Sequence, residues 1–395
     1  MSYRLAIASM SLGRAWIHDL TAKFTAAASA GLPAIELFFE DLLHIAKSLP
    51  GGPTPSNQLL AARQIRALAN SLNLEIMGLG PFCNCEGMLS AVAKAEKLEE
   101  LQLWFQIARI LGTDLIQIPS TFQTKGFTGD LDIVVGDLRE YAELGAAQNP
   151  PFRFAFENLC WGTFNSRWED AWAVVKGVDR PNFGLCLDTF NIAGRGWADP
   201  AREDGKVENA DEVFGQSLRN LVREVDVKKV FYVQVVDAER LSQPLDEQHP
   251  FHVDGQRPRM SWSRNARLFI CEEERGGYLP VIDVLKALCD EKDGLGYKGW
   301  ISMELFNRSL LEPGSQVPKE HADRAMESWR RLENVMGWEN KIDSIPARRA
   351  VKGNASRVVQ GWEMSARYND KPGPSTIFAS AFSFIRRALA AFTGV

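Results

Sequence analysis

Asn182-Phe-Gly-Leu-Cys-Leu-Asp188-Thr-Phe-Asn-Ile-Ala-Gly194 is an apolar run that stops abruptly on a carboxylate. Gly184 to Leu187 are small or aliphatic, the composition of a strand buried on both faces of a parallel sheet. Packing gives no reason for an acid at the end of such a strand. Chemistry does, because barrels of parallel strands carry their active sites at the C-terminal strand ends. Three other runs stop the same way: R-F-A-F-E at Glu157, F-Y-V-Q at Gln234 and W-I-S-M-E at Glu304. Singly, each reads as a polar residue where a strand meets solvent. Together, at the ends of four successive strands, they read as one metal site.

Outward from this stretch, strand and helix patterns alternate. Strands are expected at Leu5–Ala8, Ala34–Phe38, Leu74–Leu79, Asp114–Ile118, Arg153–Glu157, Phe183–Asp188, Val230–Val236 and Trp300–Glu304. Between them fall helical patterns: Asp19–Ala30 closed by Gly31, Ser56 as N-cap of a helix to Leu72, Ala93–Leu111, Asp130–Leu144, one beginning Trp168–Val175, Asp211–Glu224, Tyr278–Cys289 and Pro318–Met336. Eight alternations predict an α/β protein of the (β/α)8 barrel class, since doubly wound sheets seldom have so many. Glu239–Arg275 reads as the longest irregular stretch, and a loop of that length is a functional candidate. The barrel is assigned to residues 1–338. Residues 339–395 form a C-terminal extension: a basic, Gly/Pro-punctuated linker, then a short amphipathic helix, Thr376–Phe392, with Phe378, Phe382, Ile385 and Leu389 on one side. That face suits docking on the barrel or on a second subunit, which leaves a homo-oligomer open.

The chain has 395 residues, 45% of them hydrophobic, enough to bury a large core. Its net charge of −5 is spread along the sequence, so no nucleic-acid-binding face is expected. The N-terminal apolar residues lead directly into a strand without a signal peptide's core. No apolar run reaches the ~20 residues of a transmembrane helix, so no membrane partner is expected. The six cysteines form no C-x-x-C pair, and a reducing cytoplasm fits them best.

Glu157, Asp188, Gln234 and Glu304 are hard oxygen donors, suited to Mg²⁺ or Mn²⁺, with Co²⁺ also compatible, and poorly suited to zinc. Without a cation, three converging carboxylates repel one another. By strand alternation Ala155, Cys186, Tyr232 and Ser302 should line the barrel interior beneath them. A second constellation, R-M-S-W-S-R-N-A-R-L-F, brings Arg259, Ser261, Ser263, Arg264 and Arg267 into the loop after strand seven, with Trp262 as apolar backing. Its bland reading is a solvated basic loop. In an acidic protein this reversal of sign on the catalytic face instead suggests a small anionic substrate, because arginine reads carboxylates by paired hydrogen bonds. None of the five histidines closes a strand; His252, in the long loop, reads first as a surface residue and second as one that reaches the site.

The segments M-S-L-G, E-L-F-F-E-D-L, C-L-D-T-F-N-I-A-G-R, F-Y-V-Q-V-V-D-A-E, R-M-S-W-S-R-N and S-M-E-L-F-N-R resemble the fungal-type 3-dehydroshikimate dehydratases of quinate catabolism, over about residues 3–335. The resemblance implies a xylose-isomerase-like barrel and a hydro-lyase that uses one divalent metal to convert 3-dehydroshikimate, a cyclic anion, to protocatechuate and water. It implies Glu157, Asp188, Gln234 and Glu304 as metal ligands, and Ser263 and Arg267 as substrate contacts; Arg264 and Asn191 are further substrate-binding candidates. Where bacterial members carry a histidine three residues after the metal-binding aspartate, this chain has Asn191. Where they carry an arginine after the Pro-Phe of the strand-three loop, it has Cys83. The base is therefore sought first in Glu157 or Glu304 and then in His252. Two rival readings stand beside this one: a sugar isomerase or epimerase on the same barrel, and a non-catalytic barrel that binds a metabolite as a regulator.

Overall fold

The computed structural model describes residues 3–338; the expected extension 339–395 and its helix Thr376–Phe392 lie outside the described residues. Eight parallel strands close a barrel: β1 (Arg4–Ala8), β2 (Ala34–Phe38), β3 (Glu75–Gly80), β4 (Leu115–Pro119), β5 (Arg153–Glu157), β6 (Phe183–Asp188), β7 (Val230–Val235) and β8 (Trp300–Met303). Each pairs with its sequence neighbours, and β8 closes the ring against β1. Outside lie α1 (Leu20–Ala30), α2 (Phe39–Ser48), α3 (Pro55–Ser71), α4 (Ala91–Leu111), α5 (Leu131–Ala146), α6 (Trp168–Val178), α7 (Thr189–Gly196), α8 (Ala210–Glu224), α9 (Pro258–Ala266), α10 (Val281–Cys289) and α11 (Val317–Met336). No described helix is long and apolar enough to cross a membrane.

The register sets the height of each site residue. Cys186, Tyr232 and Trp300 stand level across β6, β7 and β8, and Asp188, Gln234 and Ser302 form the next level up. The lower level joins Ala6, Ala34, Met77, Leu115 and Ala155 in one buried layer that plugs the barrel. Ser302 thus stands one level above its expected place, and Trp300 fills the layer beneath. Glu304, just past the end of β8, consequently reaches slightly higher than Gln234. Gly184 is required where β6 runs close to its neighbour, because a Cβ there would meet Lys229 O at 2.4 Å.

Three of the helices have no counterpart among the expected ones. α2 follows β2 directly, and α7 starts on Asp188, whose side chain accepts from Asn191 N as an N-cap. The stretch Glu239–Arg275 is less irregular than its composition suggests, since it contains α9, opened by Pro258 at its first turn. The apolar periodicity of α9 is weak because its arginines are anchored: Arg257 donates to Trp161 O and Gly162 O, and Arg259 to Gly194 O and Ala198 O. A two-residue antiparallel ladder, Asp237–Ala238 with Arg267–Leu268, ties the far end of this excursion back to the rim above β7. In α3 the cap is Thr54 rather than Ser56, because Pro55 occupies the first helical position.

Candidate metal and substrate site

Strand ends deliver Glu157, Asp188 and Gln234 to the C-terminal rim, and Glu304 arrives from the residue after β8. All four are buried, at 4%, 0%, 1% and 6% exposure, so the repulsion among the three carboxylates is poorly screened. Because Asp188 caps α7, Asn191 comes round one turn later to the acids. Its Nδ2 donates to Glu157 Oε1 at 2.7 Å and to Asp188 Oδ2 at 3.1 Å, while its Oδ1 accepts from Cys160 N at 3.0 Å.

Arg267 enters the same cluster from the other side. Its Nη1 donates to Asp188 Oδ2 at 2.8 Å and Glu304 Oε2 at 2.5 Å, and Ser263 Oγ accepts from its Nε at 2.9 Å. The guanidinium lies 4.3 Å from the Phe190 ring centroid and 5.0 Å from that of Phe306, walls that strengthen its pairing by excluding water.

Two residues without a sequence-based role complete the network. Glu36, on β2, accepts from Gln234 Nε2 at 2.9 Å and from Tyr232 OH at 2.7 Å. Gln234 Nε2 also donates to Glu304 Oε1 at 3.0 Å, so acidic neighbours fix which end of the amide is nitrogen. Gln117, on β4, donates to Glu157 Oε2. Both carry the sign that marked Asp188, a polar residue inside an apolar strand (A-I-E-L-F and L-I-Q-I-P). Neither closes its strand, so a search of strand ends passes over them.

Among the described residues, one buried cation pairs with this cluster of Glu36, Glu157, Asp188 and Glu304: Arg267, through Asp188 and Glu304. Burial, then the charges of Glu304 and Asp188, push Glu157 well above the usual carboxylate range. Burial likewise raises Glu304, against the pull of Arg267, with Asp188 and Glu36 adding to the rise. Glu36 is raised chiefly by burial, and its Oε2 is buried without a hydrogen bond. The cluster is short of positive charge. Among the described residues no three Asp, Glu, His or Cys side chains stand as a formed metal cage, since Arg267 and Asn191 lie between the acids. The donor chemistry nevertheless fits a small hard cation: carboxylates and one amide oxygen, desolvated and under-neutralised.

The structure thus brings together Glu157, Asp188, Asn191, Gln234, Ser263, Arg267 and Glu304. Arg264 lies apart from them on α9, where its Nη1 donates to Gln256 Oε1 at 2.7 Å. His252 Nε2 faces Asp254 Oδ1 at 3.1 Å on the surface of the long loop. Cys83 is partly buried in the loop after β3, and burial raises its thiol well above the usual range.

A closed parallel barrel with acids gathered on its C-terminal rim is the architecture of the xylose isomerase-like TIM barrels, and the model of that family matches residues 24–332. Among solved structures, a xylose isomerase-like TIM barrel/4-hydroxyphenylpyruvate dioxygenase fusion protein superposes with a TM-score of 0.63 at 25% identity. That match covers 86% of this chain, which spans only 45% of the fusion protein. The IolI protein, solved with a zinc atom, shares the fold with a TM-score of 0.61 at 15% identity, over 83% of this chain and 97% of its own. In sequence, the chain is 48% identical over 340 residues to the 3-dehydroshikimate dehydratase of Neurospora crassa, covering 84% of this chain and 94% of that protein. The chain belongs to the xylose isomerase-like TIM barrel family and, within it, to the 3-dehydroshikimate dehydratases.

Proposed function

We infer that this chain dehydrates 3-dehydroshikimate to protocatechuate and water. The likeness to the Neurospora enzyme across nearly that protein's whole length carries the reading. The substrate is a cyclic ketone with a hydroxyl β to the carbonyl. The proton on the carbon between them is removed, the β-hydroxyl leaves as water, and tautomerisation gives the aromatic ring. A divalent cation, Mg²⁺ or Mn²⁺ with Co²⁺ also compatible, held by Glu157, Asp188, Gln234 and Glu304, would stabilise the negative charge that develops on the ketone oxygen.

The chain's own groups divide the remaining work. Glu157 is the better-placed base of the two glutamates. It is held by amide donors from Asn191 and Gln117, whereas Glu304 is paired directly with Arg267. A carboxylate made more basic by burial takes a carbon-bound proton more readily. Glu304 is the second candidate, and His252 the third if its loop closes on bound substrate. Asn191 and Arg267 keep the acids in place, Ser263 orients Arg267, and Arg264 faces the substrate's anionic end. We assign catalysis to the barrel through residue 338 and an accessory role, such as docking in a homo-oligomer, to residues 339–395. The cytoplasm is the proposed compartment.

The test is direct. Purified protein with Mg²⁺ or Mn²⁺ should convert 3-dehydroshikimate to a product with the ultraviolet absorbance of protocatechuate, and chelation should stop it reversibly. No aromatic product with Mg²⁺, Mn²⁺ or Co²⁺ would refute the assignment.

A further inference from the structure

Trp161 lies in the loop after β5, one residue beyond Cys160, whose backbone N–H donates to Asn191 Oδ1 at 3.0 Å. Asn191 in turn donates to Glu157 and Asp188, so this loop is tied to the acid cluster. From α9, Arg257 Nη1 donates to Trp161 O and Gly162 O, both at 2.7 Å, and holds the loop a second time. The indole ring is thereby fixed beside the site, its centroid 6.0 Å from the guanidinium carbon of Arg267.

Trp161 is 9% exposed, and its Nε1–H is buried without a hydrogen bond among the described residues. A buried indole N–H ordinarily finds an acceptor. Trp168, Trp197, Trp262 and Trp329 do so, donating to Ser217 Oγ, Asp211 Oδ1, Glu239 O and Glu333 Oε1. Trp104 and Trp172 also lack one, but they belong to α4 and α6 on the outside of the barrel. Trp161 differs from them in standing against the site. Arg267 has a donor to spare as well. Its hydrogen bonds among the described residues run through Nε and Nη1, which leaves Nη2 for an incoming acceptor.

We propose that Trp161 binds the substrate, its indole N–H donating to the ring carboxylate beside Nη2 of Arg267. This rests on the dehydratase reading. The chemistry of the donor selects its partner, because an indole N–H only donates and a carboxylate only accepts. The ketone oxygen goes to the divalent cation, and the hydroxyls have protons of their own to give to the rim acids. The carboxylate is the substrate group that still needs donors. It is also the group that the rim acids repel, so it requires the one side of the cluster where Arg267 supplies positive charge. Phe190 and Phe306, 4.3 and 5.0 Å from the guanidinium, keep water away and strengthen both contacts.

The test compares two ligands by calorimetric titration of the full-length protein with Mg²⁺ present. Protocatechuate keeps the carboxylate, and catechol lacks it. Trp161→Phe retains an aromatic wall and removes the N–H. It should weaken protocatechuate by about 10-fold or more, as expected for a lost hydrogen bond to a charged group, while catechol stays within about twofold of the parent protein. Benzothienylalanine placed at position 161 puts sulfur where the N–H stood at nearly the same shape. It should show the same pattern, and it carries the test if Trp161→Phe fails to fold. Unchanged protocatechuate affinity, or equal loss of both ligands, would overturn the assignment of Trp161. Turnover by the parent protein separates the two levels: if it makes protocatechuate, such a result removes the role of Trp161 and leaves the dehydratase reading intact. If it makes none, the dehydratase reading fails first.

Discussion

Arg267→Met tests the electrostatic logic of the rim most sharply. Methionine retains much of the apolar stem that packs between Phe190 and Phe306 but removes the cation that pairs with both Asp188 and Glu304. Arg267 is 1% exposed, so solvent screening offers no discount. Breaking a buried ion pair by deleting one partner costs ~3–5 kcal/mol. For a folded unit of about 340 residues, an unfolding entropy of ~2.1 cal/mol/K per residue gives ~0.7 kcal/mol/K, so the melting temperature should fall by ~4–7 °C. The loss should depend on pH in a definite direction. Without Arg267, Glu157 and Glu304 keep their protons to still higher pH in the folded state than in the unfolded chain. Stability therefore declines as pH rises above the normal carboxylate range, and the deficit is larger at pH 8.5 than at pH 6. Thermal melts of chelator-treated protein measure this, and adding Mn²⁺ should narrow the gap because the cation replaces lost positive charge. A variant that melts within about 1 °C of the parent at pH 8.5 would refute the argument. So would a deficit identical at both pH values, which would point to lost packing alone.

Three further outcomes follow from the same network, and a fourth from a separate buried acid. Glu304→Gln should lower kcat by at least ~10²-fold and weaken Mn²⁺ binding measured by calorimetry, while circular dichroism stays unchanged. Glu36→Leu removes an acceptor that fixes the Gln234 amide, and Mn²⁺ affinity of the full-length protein should fall ~10–100-fold. Asn191→Ala deletes donors to Glu157 and Asp188 and strands Cys160 N, so urea denaturation should show a loss of about 2–5 kcal/mol. Glu86 is buried, accepts from Thr121 N and titrates near 8 because of burial, so the folded protein holds a proton that the unfolded chain releases above about 4.5. Its contribution to stability is lost as pH rises from about 4.5 to about 8, and Glu86→Gln should flatten that decline, by a difference on the order of 3–5 kcal/mol between pH 5 and 9.

Local order carried much of the fold. A strand buried on both faces is a continuous apolar run, and an acid that closes it stands out against that background, as Asp188 does. The repeated strand–helix period made the closed barrel legible, and the strand boundaries of β5 and β6 follow the sequence residue for residue. Helix α9 was not legible in the same way. Its stability comes from Arg257 and Arg259 binding distant carbonyls and from Trp262 packing 4.8 Å from Phe190, and no residue next to it in sequence reports either contact.

By itself, the sequence determined the barrel and the four oxygen-bearing residues at the strand ends, because periodicity and an interrupted apolar run are properties of neighbouring residues. It also placed the arginines of R-M-S-W-S-R-N-A-R after β7, on the C-terminal side of the barrel. Only the tertiary structure decided where those arginines go. Arg267 is paired with Asp188, 79 residues away, and with Glu304, 37 residues away. Glu36 joins Gln234 across 198 residues, and Arg14 N–H reaches Leu310 O only because β1 closes the ring against β8. The physical reason is that the Coulomb energy of a buried charge depends on its distance in space from other charges, and barrel closure sets those distances without leaving a mark on any local stretch of chain.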